Sequence, residues 1–426
     1  METYGKILII AMPLFLLLVL FEKWYGWRKG FDTVRTLDMV SSLSSGVTNS
    51  TKDVLGLSIA IISYGWLVNH LAIMHIQATW LVYVIAFLAL DFAGYWTHRM
   101  AHTFNFFWNN HIVHHSSEEF NLACALRQSI SVFVRIYAVL LIPAAILGVP
   151  EKVIAIVAPL HLFAQFWYHT RHIHKMGFLE YIIVTPAHHR VHHAINPEYL
   201  DKNYGQIFIF WDRLFGTFQE EQASIPAVYG VTRPVRTWNP IKINFMHMWL
   251  LIKDAWHTKS WKDKFRIWLM PLGWRPADVI EKYPVYKIED VYHFEKYDTP
   301  APKSMQIYLW IQLFCLLLLV SYMFANVAML KELGISNLFL YGGFIFLQVY
   351  ALTEFMDRGT YAWILEAVKN AICILCIIQN GQWFGSNAIS NLIAPVLIGY
   401  FIASTIAVYY FSKQPANPSA KLYIVK

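Results

Sequence analysis

Apolar residues gather along this chain in long runs, near 6–22, 53–73, 79–97, 130–149, 151–169, 305–325, 337–356, 361–379 and 391–412. Each approaches the ~20 residues that a helix needs to cross a hydrocarbon core. The pattern predicts an all-α polytopic membrane protein of about nine transmembrane or re-entrant helices. The pair 130–149 and 151–169, joined across Gly148-Val149-Pro150, is open to a re-entrant hairpin in place of two crossings. The first run has no small-residue cleavage site and ends in Trp24-Tyr25-Gly26-Trp27-Arg28-Lys29, so it reads as a retained anchor and not as a removed signal peptide. Polar positions dominate 196–300, where Pro197, Pro226, Pro234, Pro240, Pro271, Pro276 and Pro284 break the chain into short pieces expected to cap a site from the cytosolic side. Three blocks follow: anchor helices over 1–75, all the candidate chemistry over 76–300, and four apolar helices without histidine over 301–426. There is no internal repeat, glycine-rich phosphate loop or low-complexity tract.

Composition agrees with a membrane protein, because only 14% of residues are charged and 57% are hydrophobic, against about 25% charged in soluble domains. The net charge of +7 does not point to nucleic acid, since its carriers are distributed as topology signals. Loop 23–52 holds Lys23, Arg28, Lys29, Arg35 and Lys52, and 170–304 holds 18 of the 34 basic residues, while 74–78, 148–150 and 380–390 hold almost none. Threading nine spans puts the basic segments on one side, which the positive-inside bias makes cytosolic. Cys124, Cys315, Cys373 and Cys376 sit in apolar surroundings, so disulfides are not expected, and the CxxC of Cys373 and Cys376 reads as two small buried residues.

Of 18 histidines, 13 fall between His98 and His193. They include three boxes: His98-Arg-Met-Ala-His102, His111-Ile-Val-His114-His115 and His189-Arg-Val-His192-His193. Positions i, i+3 and i+4 return to one helix face, so each box can aim its rings at one point. Imidazole suits zinc, iron, copper and nickel. A structural zinc site closes with four ligands, usually including cysteine, which no box contains. Eight ligands shared by two ions leave positions open to dioxygen, and a place at the membrane implies a water-poor substrate. A lipid oxygenase with a cytosolic di-metal site follows.

Asp91, Tyr95, His98 and His102 lie on one stripe of the helix that carries the first box. An ionisable group in an apolar run is expensive unless it faces a polar interior. Asp91 and Tyr95 are therefore candidates to orient the ligand imidazoles; the alternative is that Asp91 neutralises Arg135.

At these residues the chain resembles the fatty acid hydroxylase and sterol desaturase superfamily of di-iron membrane proteins. The boxes carry the likeness, with Asn203-Tyr204-Gly205 and Trp211-Asp212-Arg213-Leu214-Phe215-Gly216-Thr217 after the last of them. Within that superfamily it is similar to the tetrahydrobiopterin-dependent alkylglycerol monooxygenases. That likeness rests on Asp91-Phe92, His114-His115-Ser116-Ser117-Glu118, Asn121-Leu122, Ala125-Leu126-Arg127-Gln128-Ser129, Gln165-Phe166-Trp167, His169-Thr170 and His188-His189, and runs from about residue 38 through the helices after 300. The resemblance implies a fatty acid hydroxylase-type di-iron catalytic domain over 76–300, two iron ions, a lipid substrate, dioxygen and tetrahydrobiopterin. It makes His169 a ninth ligand beside His98, His102, His111, His114, His115, His189, His192 and His193. It also puts Asn121 and Arg127 at the site with Asp91 and Tyr95. Two places depart from the family pattern: where acidic residues are expected after the first box and after the His-Thr pair, this chain has Thr103 and Arg171.

Other residues keep two readings. Arg127 is equally open to a snorkelling interfacial role, and Glu118 and Glu119 to support of the site or a solvated pair. His188 points away from His189 and reads as support for the ligands. His161, His172 and His174 read as surface or interface groups, and His70, His75, His247, His257 and His293 have no box spacing. The leading reading is a monooxygenase that hydroxylates the ether-linked carbon of an alkylglycerol to give aldehyde and glycerol. The alternatives are a sterol, fatty-acyl or carotenoid hydroxylase or desaturase fed by an electron-donor protein, and a non-enzymatic metal-binding membrane protein or transporter. Because 423–426 carries no retrieval signal, endoplasmic reticulum and bacterial inner membrane both stay open.

Overall fold

The computed structural model describes residues 2–74, 76–135 and 137–414, without the side chains of residues 2, 3, 134 and 135. His75, the Arg135 side chain and 423–426 therefore lie outside the described residues. Among them, six helices are long and apolar enough to cross a membrane: Tyr4–Lys29, Trp80–Thr103, Lys303–Ala325, Ile335–Met356, Ala362–Asn380 and Ile393–Lys413. The protein is mostly helical and these six match six of the nine apolar runs.

The other three runs do not form long helices. Run 53–73 breaks after Val54 at Gly56 and resumes only as Tyr64–Leu71. Run 130–149 is a two-residue strand, a 3-10 turn and the short helix Ile142–Ile146, interrupted at Pro143. Run 151–169 yields Glu151–Phe163, 13 residues, or roughly 20 Å of helix. Hydropathy registers apolar side chains without registering whether lipid or protein surrounds them. These pieces pack on the first-box helix in a core of Leu67, Val82, Leu90, Ala145, Val153 and Val157.

A long helix that hydropathy passes over packs among the apolar ones. Thr36–Val54 is rich in serine and almost entirely buried. Its start lies at the histidine end of the molecule, because the Thr33 carbonyl accepts from Asn121 Nδ2 at 2.7 Å and Phe31 lies beneath Arg171. The first-box helix reaches that end only at its C-terminus, and its 24 residues span roughly 36 Å. Chain 36–79 must therefore travel away from the histidines before Trp80–Thr103 returns. Small serine side chains let neighbouring helices approach closely, as between membrane helices.

The sequence blocks interlock. One core joins Val47 and Val54 to Leu319, Phe324, Tyr341 and Phe401. Another joins Val19, Met39 and Val40 to Leu309, Phe355 and Phe411. The N-terminal and C-terminal helices thus form one wall around the central histidine-bearing segment.

Candidate metal centre and its cavity

Each box is delivered by a different local device. His98 and His102 stand on the last turns of Trp80–Thr103. His111 is the N-cap of the one-turn helix Ile112–His115, which carries His114 and His115. The third box lies on Pro186–His192, entered through a capping box in which Thr185 accepts from the His188 N–H and the His188 ring accepts from the Thr185 N–H. His188 therefore caps its own helix and touches no other box. His169 follows Glu151–Phe163 after a turn.

These elements gather nine imidazoles into two groups, His98, His102, His111, His115 and His192, and His114, His169, His189 and His193. Within each group one ring nitrogen from every residue lies within 4.8 Å of the others. The groups adjoin, with the His115 and His193 rings stacked at 4.2 Å. All nine are the residues singled out from the sequence.

The hydrogen bonds around the rings decide what the clusters can hold. His111 Nε2 lies 2.9 Å from His98 Nε2 and 3.1 Å from His115 Nε2, and His192 Nε2 lies 3.1 Å from His115 Nε2. In the second group His189 Nε2 is 2.9 Å from His169 Nε2 and 3.0 Å from His193 Nε2. On the far side of the rings, Nδ1 of His98 is 2.9 Å from the Tyr204 carbonyl and that of His192 3.0 Å from Lys202 O. Nδ1 of His114 is 3.3 Å from Arg127 O and that of His169 3.1 Å from Gln165 O. A carbonyl only accepts, so these Nδ1 atoms carry the proton and each Nε2 presents a lone pair. His114 and His169 consequently oppose two lone pairs at 3.4 Å, which repel each other unless a cation sits between them. His102 Nε2 is buried without a hydrogen-bond partner, as a ligand atom would be.

Burial also sets the charge state. Desolvation pushes His111, His114, His115, His189, His192 and His193 well below the ordinary imidazole range, and His169 down to about 3. A neutral ring is the form that binds metal. Nitrogen donors without thiolate fit iron as well as the other imidazole metals.

The supporting residues differ from expectation in how they act. Asp91 contacts neither His98 nor His102. Its Oδ1 accepts from His161 Nε2 at 2.9 Å and the Ile207 N–H at 2.8 Å, and its Oδ2 from the Phe208 N–H at 3.1 Å and Trp211 Nε1 at 2.9 Å. Those four donors satisfy the carboxylate, and through three of them Asp91 clamps the loop after Tyr204 and the start of the helix Phe210–Leu214, while the Tyr204 carbonyl holds His98. Tyr95 acts on the same loop. Its hydroxyl is 2.9 Å from Thr217 Oγ1, Thr217 donates to Asp212 at 2.7 Å, and Asp212 accepts from the Tyr204 and Gly205 N–H groups, each at 2.7 Å. Gly205 is required here, because a Cβ would come 2.7 Å from the Phe208 carbonyl and 2.8 Å from the Asp212 carboxylate.

Asn121 is buried, but it caps its own turn, accepting from the Ala123 N–H at 3.0 Å. Arg127 does not snorkel. It is buried and donates to Asp38 Oδ1 and Ser116 Oγ, both at 2.7 Å, while its carbonyl faces His114. Glu118 and Glu119 are not a solvated pair: Glu118 accepts from the Tyr297 N–H at 2.6 Å, and Glu119 pairs with Lys296 at 3.0 Å. Thr103 donates to the Arg99 carbonyl at 2.7 Å, and Arg171 lies 4.6 Å over the Phe31 ring. His172 lies beside Thr33, and His174 is exposed.

Three contributors escape a reading by spacing. His161 is buried on Asp91 and is not a surface group. Asp38 neutralises Arg127, and Glu22 accepts from the Leu122 N–H and the Thr170 hydroxyl, both at 2.6 Å. His161 and Glu22 are titratable residues in or at the end of an apolar run, which is the signal that marks them, whereas Asp38 stands in a serine-rich polar segment that carries no such signal.

A cavity of about 1040 Å³ opens onto the clusters, with His98, His111, His114, His169 and His189 at its floor. Ile7, Met12 and Phe15 of the N-terminal helix line it together with Phe107, Leu162 and Phe163, and the Phe15 and Phe163 rings pack together at 5.6 Å.

Comparison with known proteins is consistent with this arrangement. The fatty acid hydroxylase family profile matches residues 83–217. Human alkylglycerol monooxygenase is 34% identical over 368 residues, covering 84% of this chain and 80% of the human protein. The zebrafish (Danio rerio) alkylglycerol monooxygenase is 32% identical over 418 residues, 97% of this chain and 90% of its own. Ornithine lipid hydroxylase OlsE of Rhizobium tropici is 29% identical over 153 residues, 36% of this chain and 46% of its own. No solved structure matches the chain.

Proposed function

The chain belongs to the alkylglycerol monooxygenase family, and from that premise we propose that it hydroxylates the ether-linked carbon of an alkylglycerol. It is a lipid-hydroxylating oxidoreductase of the membrane. Insertion of one oxygen atom turns the ether into a hemiacetal, which breaks into a long-chain aldehyde and glycerol. The second atom of dioxygen leaves as water, and two external electrons and two protons are consumed.

Nine imidazoles in two groups would hold two iron ions, which when bound supply the oxidising power. The chain supplies the rest. Carbonyls of Arg127, Gln165, Lys202 and Tyr204 fix four ring tautomers, and the apolar wall from Ile7 to Phe163 takes up an alkyl chain and excludes water. The observation that carries this reading is a lipid-sized cavity lined by imidazoles of both clusters, with the lone pairs of His114 and His169 opposed at 3.4 Å.

Tetrahydrobiopterin is the electron donor that the family suggests. The absence of a carboxylate at Thr103 and Arg171 favours, as a second reading, a reduced carrier protein. The basic residues of 170–304 favour a cytosolic histidine end by the positive-inside bias, in the endoplasmic reticulum of a eukaryote or the inner membrane of a bacterium.

The test is purified protein given iron, dioxygen, 1-O-hexadecylglycerol and tetrahydrobiopterin. Hexadecanal is expected, and none after His98→Ala. Hexadecanal formed with a reduced carrier protein but not with pterin overturns the donor assignment. A sterol or fatty acid consumed in place of the ether lipid overturns the substrate.

A further inference from the structure

The cavity wall is not uniformly apolar. Beside the second box it turns polar: Asn110 immediately precedes His111, and Gln128 immediately follows Arg127, whose carbonyl holds His114. Both side chains line the cavity together with Ser131. Ser131 donates to Asn110 Oδ1 at 3.3 Å and lies 2.9 Å from Ser129 Oγ. Gln128 is exposed within the cavity and spends one N–H on the Ala125 carbonyl at 3.0 Å. Its Oε1 and the Asn110 Nδ2 have no protein partner among the described residues.

The lining next to His169 is different. Gln165 Nε2 lies 3.3 Å from Gln206 Oε1 and 3.2 Å from the His161 carbonyl, so its amide is engaged by protein. The cations near the polar wall are also answered, Arg127 by Asp38 at 2.7 Å and Lys52 by Asp53 at 3.6 Å. The wall beside the second box therefore offers unspent amide donors and an amide acceptor without an uncompensated cation. Those groups match the hydroxyls of a neutral polyol, which both donate and accept. A phosphate calls instead for a charged or bidentate cationic partner.

We propose that Asn110 and Gln128 form a headgroup subsite that binds the two free hydroxyls of the glycerol moiety. This rests on the alkylglycerol reading above. Only a few bonds separate those hydroxyls from the ether carbon, so a glycerol held beside His111 and His114 leaves that carbon over the imidazoles. The alkyl chain then continues past Phe107 and Phe163 toward Phe15 and Ile7. The amides thus select both the headgroup and the position attacked.

Direct binding under anaerobic conditions tests this apart from turnover. Iron-loaded protein in nanodiscs is titrated with 1-O-hexadecylglycerol, with hexadecyl ethyl ether, which lacks the hydroxyls, and with 1-O-hexadecylglycerol 3-phosphate. The wild type is expected to bind the glycerol ether about 10-fold more tightly than the ethyl ether, the order expected from two neutral hydrogen bonds. Gln128→Leu is expected to remove most of that difference, with iron content and affinity for the ethyl ether unchanged, and Asn110→Ala a smaller part. Equal wild-type affinities for the two neutral ethers overturn the subsite, as does a Gln128→Leu that weakens both alike or tighter binding of the phosphate. Selective binding of hexadecylglycerol by a protein that releases no aldehyde with any reductant supports the subsite and defeats the proposed reaction, so the two failures are distinguishable.

Discussion

Replacing Asp91 with asparagine keeps the side-chain volume and removes the charge from a fully buried carboxylate that receives four hydrogen bonds. Asparagine retains one acceptor oxygen. Its amide nitrogen must then face either the pair His161 and Ile207 or the pair Phe208 and Trp211, all of which donate to Asp91 through backbone or ring N–H groups. Two buried donors lose their acceptor, at about 1–3 kcal/mol each, which gives a destabilisation of about 2–6 kcal/mol. The damage falls on loop 204–211, and through the Tyr204 carbonyl on the orientation of His98. Iron affinity should fall on the order of 10- to 100-fold, as for other groups that orient a ligand histidine. Metal analysis after dialysis against a graded chelator measures this, alongside the thermal midpoint in detergent. Trp211→Phe, which removes a single donor, should cost less than half as much. Unchanged iron retention in Asp91→Asn would falsify the clamp. Restoration of wild-type behaviour by adding Arg135→Gln would show that Asp91 serves only to neutralise that arginine.

His114→Ala and His192→Ala should each lose metal while inserting normally, since the six long helices lie apart from both residues; a full complement of two irons in either variant, measured by mass spectrometry of purified protein, contradicts the ligand assignment. Burial raises the Glu118 carboxyl from 4.5 to about 7, so the stability it contributes is complete below pH 4.5 and lost as pH rises through 7. Glu118→Gln should flatten that part of the stability profile by up to about 3 kcal/mol, and unfolding midpoints recorded from pH 5 to 8 decide it. Lys369 is 1% exposed and pairs with Glu366 at 2.9 Å inside the C-terminal helix group. Lys369→Met should destabilise by about 3–5 kcal/mol through the uncompensated carboxylate, and adding Glu366→Leu should recover most of it; a double variant no better than the single one contradicts this.

The clusters were legible because box spacing is a local property: an i, i+3, i+4 pattern states which rings share a face wherever the chain goes. The long helices after residue 303 were legible for a similar reason, since lipid selects apolar side chains around much of a helix. What spacing does not encode is the partner across the fold. Asp91 and Tyr95 were recognisable as important on their stripe, but their targets lie more than 110 residues away, at Ile207, Phe208, Trp211 and Thr217. Asp38 and Glu22 sit in a block that looked like simple anchorage, yet they fix Arg127, Leu122 and Thr170. Hydropathy overstated 53–73 and 130–149 because protein and lipid are equally apolar neighbours, and it overlooked Thr36–Val54 because serine is polar on any scale although it packs well.

The breaks in helical structure around the boxes, one of them inside the apolar run 151–169, are linked to how the centre is built. A carbonyl in the middle of a helix accepts from the N–H four residues on and is committed to that bond. The carbonyls that fix the imidazole tautomers come from elsewhere: Arg127 at the end of a 3-10 turn, Gln165 just past a helix end, and Lys202 and Tyr204 in a loop that passes through Asn203 at a positive φ of 56°. Continuous helices through 120–130 and 160–170 would have consumed those acceptors and left the Nδ1 protons without partners. Irregular backbone is tolerated at membrane depth only where protein or a cavity surrounds it, and the broken segments near 125 and 166 are covered by Tyr4–Lys29, Thr36–Val54 and Lys303–Ala325, whose Val19, Val40 and Leu309 share a core with Ala123, Ala125 and Phe166. The apolar helices at both ends of the chain thus do more than anchor it, because they shelter the broken backbone from which Arg127 and Gln165 hold the rings of His114 and His169.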